Sequence, residues 1–404
     1  MTKTEMTTRI LFVDDEPKVL SGLRRMLRAY RSEWTMEFCE GPEQALAIMS
    51  QTPYDVVITD MRMPVMDGAD LLTEIRELYP GTIRIVLSGQ SEQERILRAV
   101  GPAHQYLSKP CDPEFLRATI RRVSLLSQRI QKPEMKALVS RMDSLPSLPS
   151  IYFELLEELK SEDASVDCVG KLISKDVSMT AKVLQVVNSS FFGLPVHIND
   201  AQHAAALLGL NTLKPLVLTA SIFRQLEDSR VSAAYLEQVF SHSLEVGGIA
   251  KALAKAEGLG KESADNAFIG GALHDVGKVV LGDNFGQEYV ALCQDSEAQG
   301  NSTSELERKQ FGATHADVGG FLLGLWGLPQ EIIEAVAYHH EPDTGIDEGF
   351  STLSAVYVAN LLCSEKAKSE GQESLIDEGY LARLGLQDRV EAWRQIAEEL
   401  AAPV

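Results

Sequence analysis

Cysteine is scarce and scattered. The 404 residues hold five (Cys39, Cys111, Cys168, Cys293 and Cys363), none in a CxxC pair. That excludes a disulfide framework and a zinc ribbon and fits a reducing cytosol. Long apolar runs are also missing. The greasiest stretch, Ala204 to Phe223, is broken by Asn211, Lys214 and Pro215, too often for a membrane span. The opening residues, MTKTEMTTRI, contain no apolar core, so no signal peptide and a cytoplasmic location are expected. Positive charge is in deficit: 38 Lys+Arg stand against 58 Asp+Glu, a formal net of −20. Residues 1–125 carry 16 basic and 18 acidic groups, and the remainder 22 and 40. The second part therefore repels phosphate backbones and anionic lipid, and neither DNA nor a membrane is expected as a partner.

What is present divides at about residue 125. Residues 9–125 alternate short apolar runs (Ile10–Val13, Met36–Phe38, Val56–Thr59, Ile83–Leu87, Tyr106–Leu107) with amphipathic stretches (Lys18–Tyr30, Glu43–Met49, Ala69–Leu78, Glu92–Val100, Pro113–Leu125). Five βα units in this length predict a doubly wound α/β domain with a parallel sheet. Such sheets place their chemistry at the carboxyl ends of the strands. The polar residues gather there: Asp14-Asp15-Glu16 after the first run, Asp60 after the third, Ser88 after the fourth, Ser108-Lys109-Pro110 after the fifth. Carboxylates crowded at neighbouring strand ends repel each other, and a hard divalent cation such as Mg²⁺ relieves that. A carboxylate beside such a cation can attack a phosphoryl group, and a lysine and a hydroxyl can hold the transferred oxygens.

This pattern resembles the receiver domain of two-component response regulators over its full length. The resemblance implies that Asp60 is the phospho-acceptor and that a sensor histidine kinase is the partner. It implies that Asp14, Asp15, Asp60 and the backbone carbonyl of Arg62 hold Mg²⁺. Ser88 takes the switch hydroxyl position, Lys109 that of the phosphate-contacting lysine, and Tyr106 that of the aromatic switch.

Residues 113–142 predict a long helix with Pro133 as a break or restart, so 126–142 reads as a linker helix, either a spacer or a transmitter. The prolines of Leu145-Pro146-Ser147-Leu148-Pro149 stop any helix. From Ile151 the pattern is almost wholly helical, and 143–404 predicts an all-α domain with a core at about 143–342 and a helical C-terminal extension. Seven of the eight histidines lie here. His242, His274-Asp275, His315 and His339-His340 are a ligand set for Fe, Mn, Zn or Ni. A lone histidine on an apolar helix is more often a core or surface residue than a ligand, and the doublets shift that balance.

The region from about Met142 to Pro342 resembles the HDOD family, a branch of the HD superfamily. It does so through LPSLP (145–149), SMTAKVLQVVNSSFFG (178–193), HDVGK (274–278), THADVGGFLLGLWGLP (314–329) and HHEP (339–342). Asn188, Ser189 and Phe192 read equally as helix-end capping and packing or as a partner contact. Two departures are evident. Where metal-dependent HD proteins have a late aspartate, the helix here offers Asn360, and the Gly-Tyr-Pro of cyclic-dinucleotide phosphodiesterases is replaced by Asp343-Thr344-Gly345-Ile346. With Asp275 the only carboxylate in the ligand set, the charge of two divalent ions is poorly balanced, unless an acidic residue from elsewhere folds into the site. The expected function is that of a response regulator whose HDOD domain relays the signal through contacts with a downstream protein or as a homodimer. A receiver-gated metal-dependent phosphohydrolase acting on a cyclic dinucleotide or nucleotide is the alternative.

Overall fold

The computed structural model describes residues 8–88, 102–109, 111–142, 145, 149–161, 163–188, 197–218, 229–299, 302–344, 349–366 and 378–401. Two compact units divide the chain near residue 143.

The first unit is built on five parallel strands: β1 (Thr8–Val13), β2 (Trp34–Cys39), β3 (Val56–Asp60), β4 (Ile83–Ser88) and β5 (Gln105–Ser108). Their order is β2-β1-β3-β4-β5, so the chain reverses its winding direction at β1, between β2 and β3. The central runs are β-branched and apolar because both faces of the sheet are covered. Ile10, Leu11, Phe12, Val56, Val57 and Ile58 are buried. The helices are α1 (Pro17–Met26), α2 (Pro42–Gln51), α3 (Gly68–Leu78) and α4 (Pro113–Arg129). Asp67 caps α3 by accepting from the Asp70 N–H, and Asp112 caps α4 by accepting from that of Glu114. The predicted helix Glu92–Val100 and Pro110 lie outside the described residues.

The predicted helical segment 113–142 is two helices, broken where Pro133 was expected to break or restart it. Ile130 has extended backbone at the end of α4, and α5 (Pro133–Ser140) restarts at its proline. Far from a free spacer, α5 ends on the receiver. Arg84 of β4 is fully buried, and its guanidinium donates to the Ser140 carbonyl at 2.7 Å and the Pro102 carbonyl at 2.6 Å. Ser140 is the last residue of α5, so the negative end of that helix meets a buried cation. The His104 ring lies between them: Nδ1 accepts from the Arg84 backbone N–H at 3.0 Å, which leaves Nε2 to donate to the Ser140 carbonyl at 2.8 Å.

Every regular element among the described residues of the second unit is a helix. It opens with α6 (Pro149–Lys160), α7 (Val166–Ser174), α8 (Val177–Val187) and α9 (Ala201–Leu218, kinked at Gly209). The long α10 (Ala233–Ala256) and α11 (Lys261–Leu273) pack together, and α12 (Val276–Phe285), α13 (Gln287–Gln299), α14 (Thr303–Phe311), α15 (His315–Leu325) and α16 (Gln330–Tyr338) follow. The core does not stop near residue 342. α17 (Thr352–Lys366), α18 (Glu378–Leu384) and α19 (Val390–Ala401) join the same apolar cluster as α10 and α11. Trp393 of α19 is wholly buried, its indole N–H donating to Glu257 at 2.8 Å. The tail read as an extension is thus part of the core. All five cysteines are free. Among the described residues no helix is long and apolar enough to cross a membrane.

Candidate functional site

The strand ends of the first unit bring three of the expected residues into contact. Lys109, just past β5, donates from Nζ to Asp14 at 2.7 Å and also to Asp60. Asp14 is buried at the end of β1, while Asp15 beside it is exposed. The other Asp60 oxygen accepts from the Arg62 N–H at 2.8 Å, so the contact of Arg62 with the acceptor runs through its amide. Partial burial works against the Lys109 charge, but its bonds to Asp14 and Asp60 outweigh this and lift its pKa above the ordinary lysine value. One ammonium against three carboxylates leaves an excess of two negative charges, the complement of one divalent ion. The backbone here is tightly made. A Cβ on Gly68 would stand 2.2 Å from the Asp60 carbonyl oxygen, so only glycine lets α3 begin where it does. Val65 is almost fully exposed with φ at 72°, a conformation that costs a β-branched residue about 1–3 kcal/mol. The backbone of Ser88 closes the β4–β5 pairing opposite Ser108, and Tyr106 sits on β5. The side chains of Ser88 and Tyr106 lie outside the described set, as do Ser189 and Phe192.

The second unit gathers all six residues of the histidine-rich set. Asp275 is the hinge. Its Oδ2 lies 3.3 Å from His274 Nε2 and 3.9 Å from His242 Nε2, and its Oδ1 lies 3.4 Å from His315 Nε2 and 3.9 Å from His339 Nε2. His340 Nε2 is 3.0 Å from His315 Nε2. Two ligand triads result, His315-His339-His340 and His242-His274-Asp275. Helix ends position them. His274 and Asp275 span the joint between α11 and α12, His315 opens α15, and His339-His340 follow α16. A Cβ on Gly277 would lie 1.9 Å from the His315 carbonyl oxygen, so α12 and the start of α15 touch only because that residue is glycine.

The proton positions follow from the partners. His274 Nδ1 faces the Gly271 carbonyl at 2.6 Å and His339 Nδ1 the Val336 carbonyl at 2.7 Å. A carbonyl only accepts, so both rings carry their proton on Nδ1 and turn an Nε2 lone pair inward. His315 does the same, its Nδ1 facing both oxygens of Glu307 at 2.9 and 2.8 Å. Burial holds His339 and His242 below the usual histidine pKa, which keeps these rings neutral. His315 Nε2 and His339 Nε2, both acceptors, therefore face each other at 3.3 Å. Buried Asp275 Oδ1 and His274 Nε2 have no hydrogen-bond partner. Converging lone pairs with no proton between them are an arrangement that could hold a cation. Donor atoms bound to one ion at about 2.0–2.2 Å stand about 3.0–3.5 Å apart; the separations of His315 Nε2 from His340, His339 and Asp275, at 3.0, 3.3 and 3.4 Å, fall in that range, while His339 and His242 stand 3.9 Å from Asp275.

Two contributors were not legible as site residues. Glu307 of α14 is the acidic residue from elsewhere that folds in, though behind His315 rather than among the ligands. It also accepts from the His315 backbone N–H at 2.8 Å and from the Tyr289 hydroxyl at 2.6 Å. The available signal is its position four residues before Phe311, which puts both on the buried face of a polar helix. Lys278, one turn after Asp275, donates to Asp275 Oδ2 at 2.8 Å. Asn360 of α17 meets His242 Nε2 through its amide oxygen at 3.1 Å.

Comparison with known proteins matches this division. The family model for the response regulator receiver domain covers residues 10–121, and that for the HDOD domain covers residues 145–342. The chain is a receiver–HDOD response regulator. Among curated proteins, an uncharacterized protein of Treponema pallidum (strain Nichols) is 27% identical over 225 residues, 56% of this chain and 43% of its own length. The hydrogenase transcriptional regulatory protein HoxA of Cupriavidus necator is 36% identical over 114 residues, 28% of this chain and 23% of its own length. The chain thus spans less than half of either relative. Among solved structures, the MmoQ response regulator of Methylococcus capsulatus str. Bath is 22% identical with a TM-score of 0.48, covering 62% of this chain and 98% of that one. An HDOD protein of unknown function from Geobacter sulfurreducens is 24% identical with a TM-score of 0.38, covering 69% and 93%.

Proposed function

We propose that this response regulator takes a phosphoryl group from a sensor histidine kinase onto Asp60 and relays the change through protein contacts of its HDOD unit. The observation that carries this reading is the Lys109 ammonium shared by Asp14 and Asp60 across three strand ends. It puts a cation on the acceptor carboxylate and leaves the cluster short of two positive charges. Asp14, Asp15, Asp60 and the Arg62 carbonyl would hold Mg²⁺, which neutralises charge on the transferring oxygens. Asp60, with only 13% of its side chain exposed, keeps one oxygen on the Arg62 amide and presents the other toward Lys109. Lys109 and Ser88 are the groups to hold the new phosphoryl oxygens. With acetyl phosphate and Mg²⁺, one aspartyl residue should be labelled. Asp60→Asn should abolish the label and Asp15→Ala should lose it too. Full labelling of Asp60→Asn would sink the assignment.

The HDOD cluster, in this reading, holds at most one metal ion and has little or no catalytic role. Neutral histidines ligate without balancing charge, and Asn360 supplies an amide where a carboxylate would neutralise a second ion. Hydrolysis of a phosphodiester is favoured by one observation, the complete assembly of the six-residue set. Metal content and turnover on cyclic-di-GMP decide between the two. Two ions per chain with turnover of about 1 s⁻¹ or more, lost in His274→Ala, would establish the hydrolase.

A further inference from the structure

The two halves of the HDOD cluster are chemically unequal, and from this we infer that a single ion sits on His315, His339, His340 and Asp275 Oδ1, with Glu307 as the residue that positions it. The inference rests on the reading that the cluster takes a metal at all, and adds where the ion goes and what sets its affinity.

In the His315 half no cation of a described residue stands on the Asp275 oxygen. Asp275 Oδ1 is buried and unpartnered, and two lone-pair nitrogens face it at 3.4 and 3.9 Å. In the other half the same carboxylate is already answered. Lys278 Nζ lies 2.8 Å from Asp275 Oδ2. His242 Nε2 is engaged with the Asn360 amide oxygen at 3.1 Å, so it donates a proton there and this nitrogen offers no lone pair to an ion. The ammonium of Lys278 supplies the positive charge that an ion would otherwise bring to this side.

Glu307 acts on the first half through His315. It holds the ring by Nδ1 and the backbone of the same residue by its N–H, and is itself held by Tyr289. Two consequences follow. The ring cannot rotate, so Nε2 stays aimed at Asp275 Oδ1. The carboxylate also fixes the Nδ1–H tautomer and makes Nε2 a better electron donor, as outer carboxylates do for metal-bound imidazoles. His340 completes the set. Its Nε2 sits 3.0 Å from that of His315, and it is the exposed member of the triad, which gives the ion an entry side.

The test is on the full chain, with Zn²⁺ affinity from chelator competition and Co²⁺ as a spectroscopic probe. The wild type should bind one Zn²⁺. His340→Ala should weaken it at least 100-fold and His242→Ala by less than about threefold. Glu307→Gln keeps an acceptor but loses the charge, and should weaken binding about 10- to 100-fold. It should also shift the Co²⁺ d–d bands, a change that a structural role alone would not cause. Lys278→Met should admit a second ion. If Glu307→Gln does not fold, Tyr289→Phe takes its place and should shift the Co²⁺ bands in the same direction. Wild-type Zn²⁺ affinity and unchanged Co²⁺ bands in the Glu307 or Tyr289 variant would overturn the positioning role. An ion lost in His242→Ala but kept in His340→Ala would overturn the placement. No ion in the wild type would bring down the metal reading itself along with the inference.

Discussion

His104 shows how a single side chain ties the receiver to its own linker. Burial, and then the nearby Arg84 charge, press its pKa well below the ordinary value. The sign of the pH effect follows. An unfolded histidine takes a proton below about pH 6.5 while the folded one stays neutral, so the unfolded state binds more protons and stability falls as pH drops from there. At up to about 1.4 kcal/mol per pH unit, the stability lost between pH 7 and 5 should shrink by about 2 kcal/mol in His104→Asn. Urea unfolding of residues 1–142 at the two pH values checks this; equal losses in both proteins would mean that His104 titrates normally. The meeting of Asp14, Asp60 and Lys109 was legible because each stands at a strand end, where the alternation of runs leaves it. The histidine set was legible as residue types, since imidazoles and a carboxylate advertise their chemistry in any fold. Glu307 was not, because its role depends on how the turn after α14 delivers His315, and nothing in a run of charged helix residues distinguishes it from its solvated neighbours.

Among the elements, the joint between α11 and α12 has the least freedom. Gly277 stands against the His315 carbonyl with no room for a methyl group, so Gly277→Ala must push α15 away from Asp275. Overpacking of this kind costs about 3 kcal/mol or more, which for a unit of this size lowers Tm by roughly 10 °C. Differential scanning calorimetry of the full chain should show that loss in the HDOD transition and leave the receiver transition in place. A variant as stable as the wild type would mean that the helices slide apart at no cost. Helix existence and type were legible from the apolar periodicity, and the break near Pro133 from the proline alone. The docking of α5 was not, because it depends on a buried arginine in β4, and a charged residue in a strand reads as an edge or a loop rather than as an anchor.

At the scale of the whole molecule, the proposed phosphorylation can act only through a difference in affinity between two states. The segment 113–142 carries no chemistry of its own, so the change must surface as altered packing of α5 or as altered association. With beryllofluoride as a mimic of the phosphoryl group, amide exchange across 133–142 or the sedimentation profile should change. Identical exchange and sedimentation with and without it would remove α4 and α5 from the route. The division into two units was legible from the switch of hydrophobic period at about residue 125. The reach of the second core to α19 was not, because a polar helix with one tryptophan announces neither its partner nor its depth.

The Arg84–Ser140 contact also bears on how such proteins are recombined. The recognisable receiver sequence ends at residue 121, but the physical module runs through the last carbonyl of α5. A chimera joined at 121 would leave a buried guanidinium and a neutral imidazole without the helix end they hold, an uncompensated charge worth about 3–5 kcal/mol. The usable seam for exchanging inputs between regulators of this kind lies about twenty residues further on, and the short α5 travels with the receiver half of any hybrid.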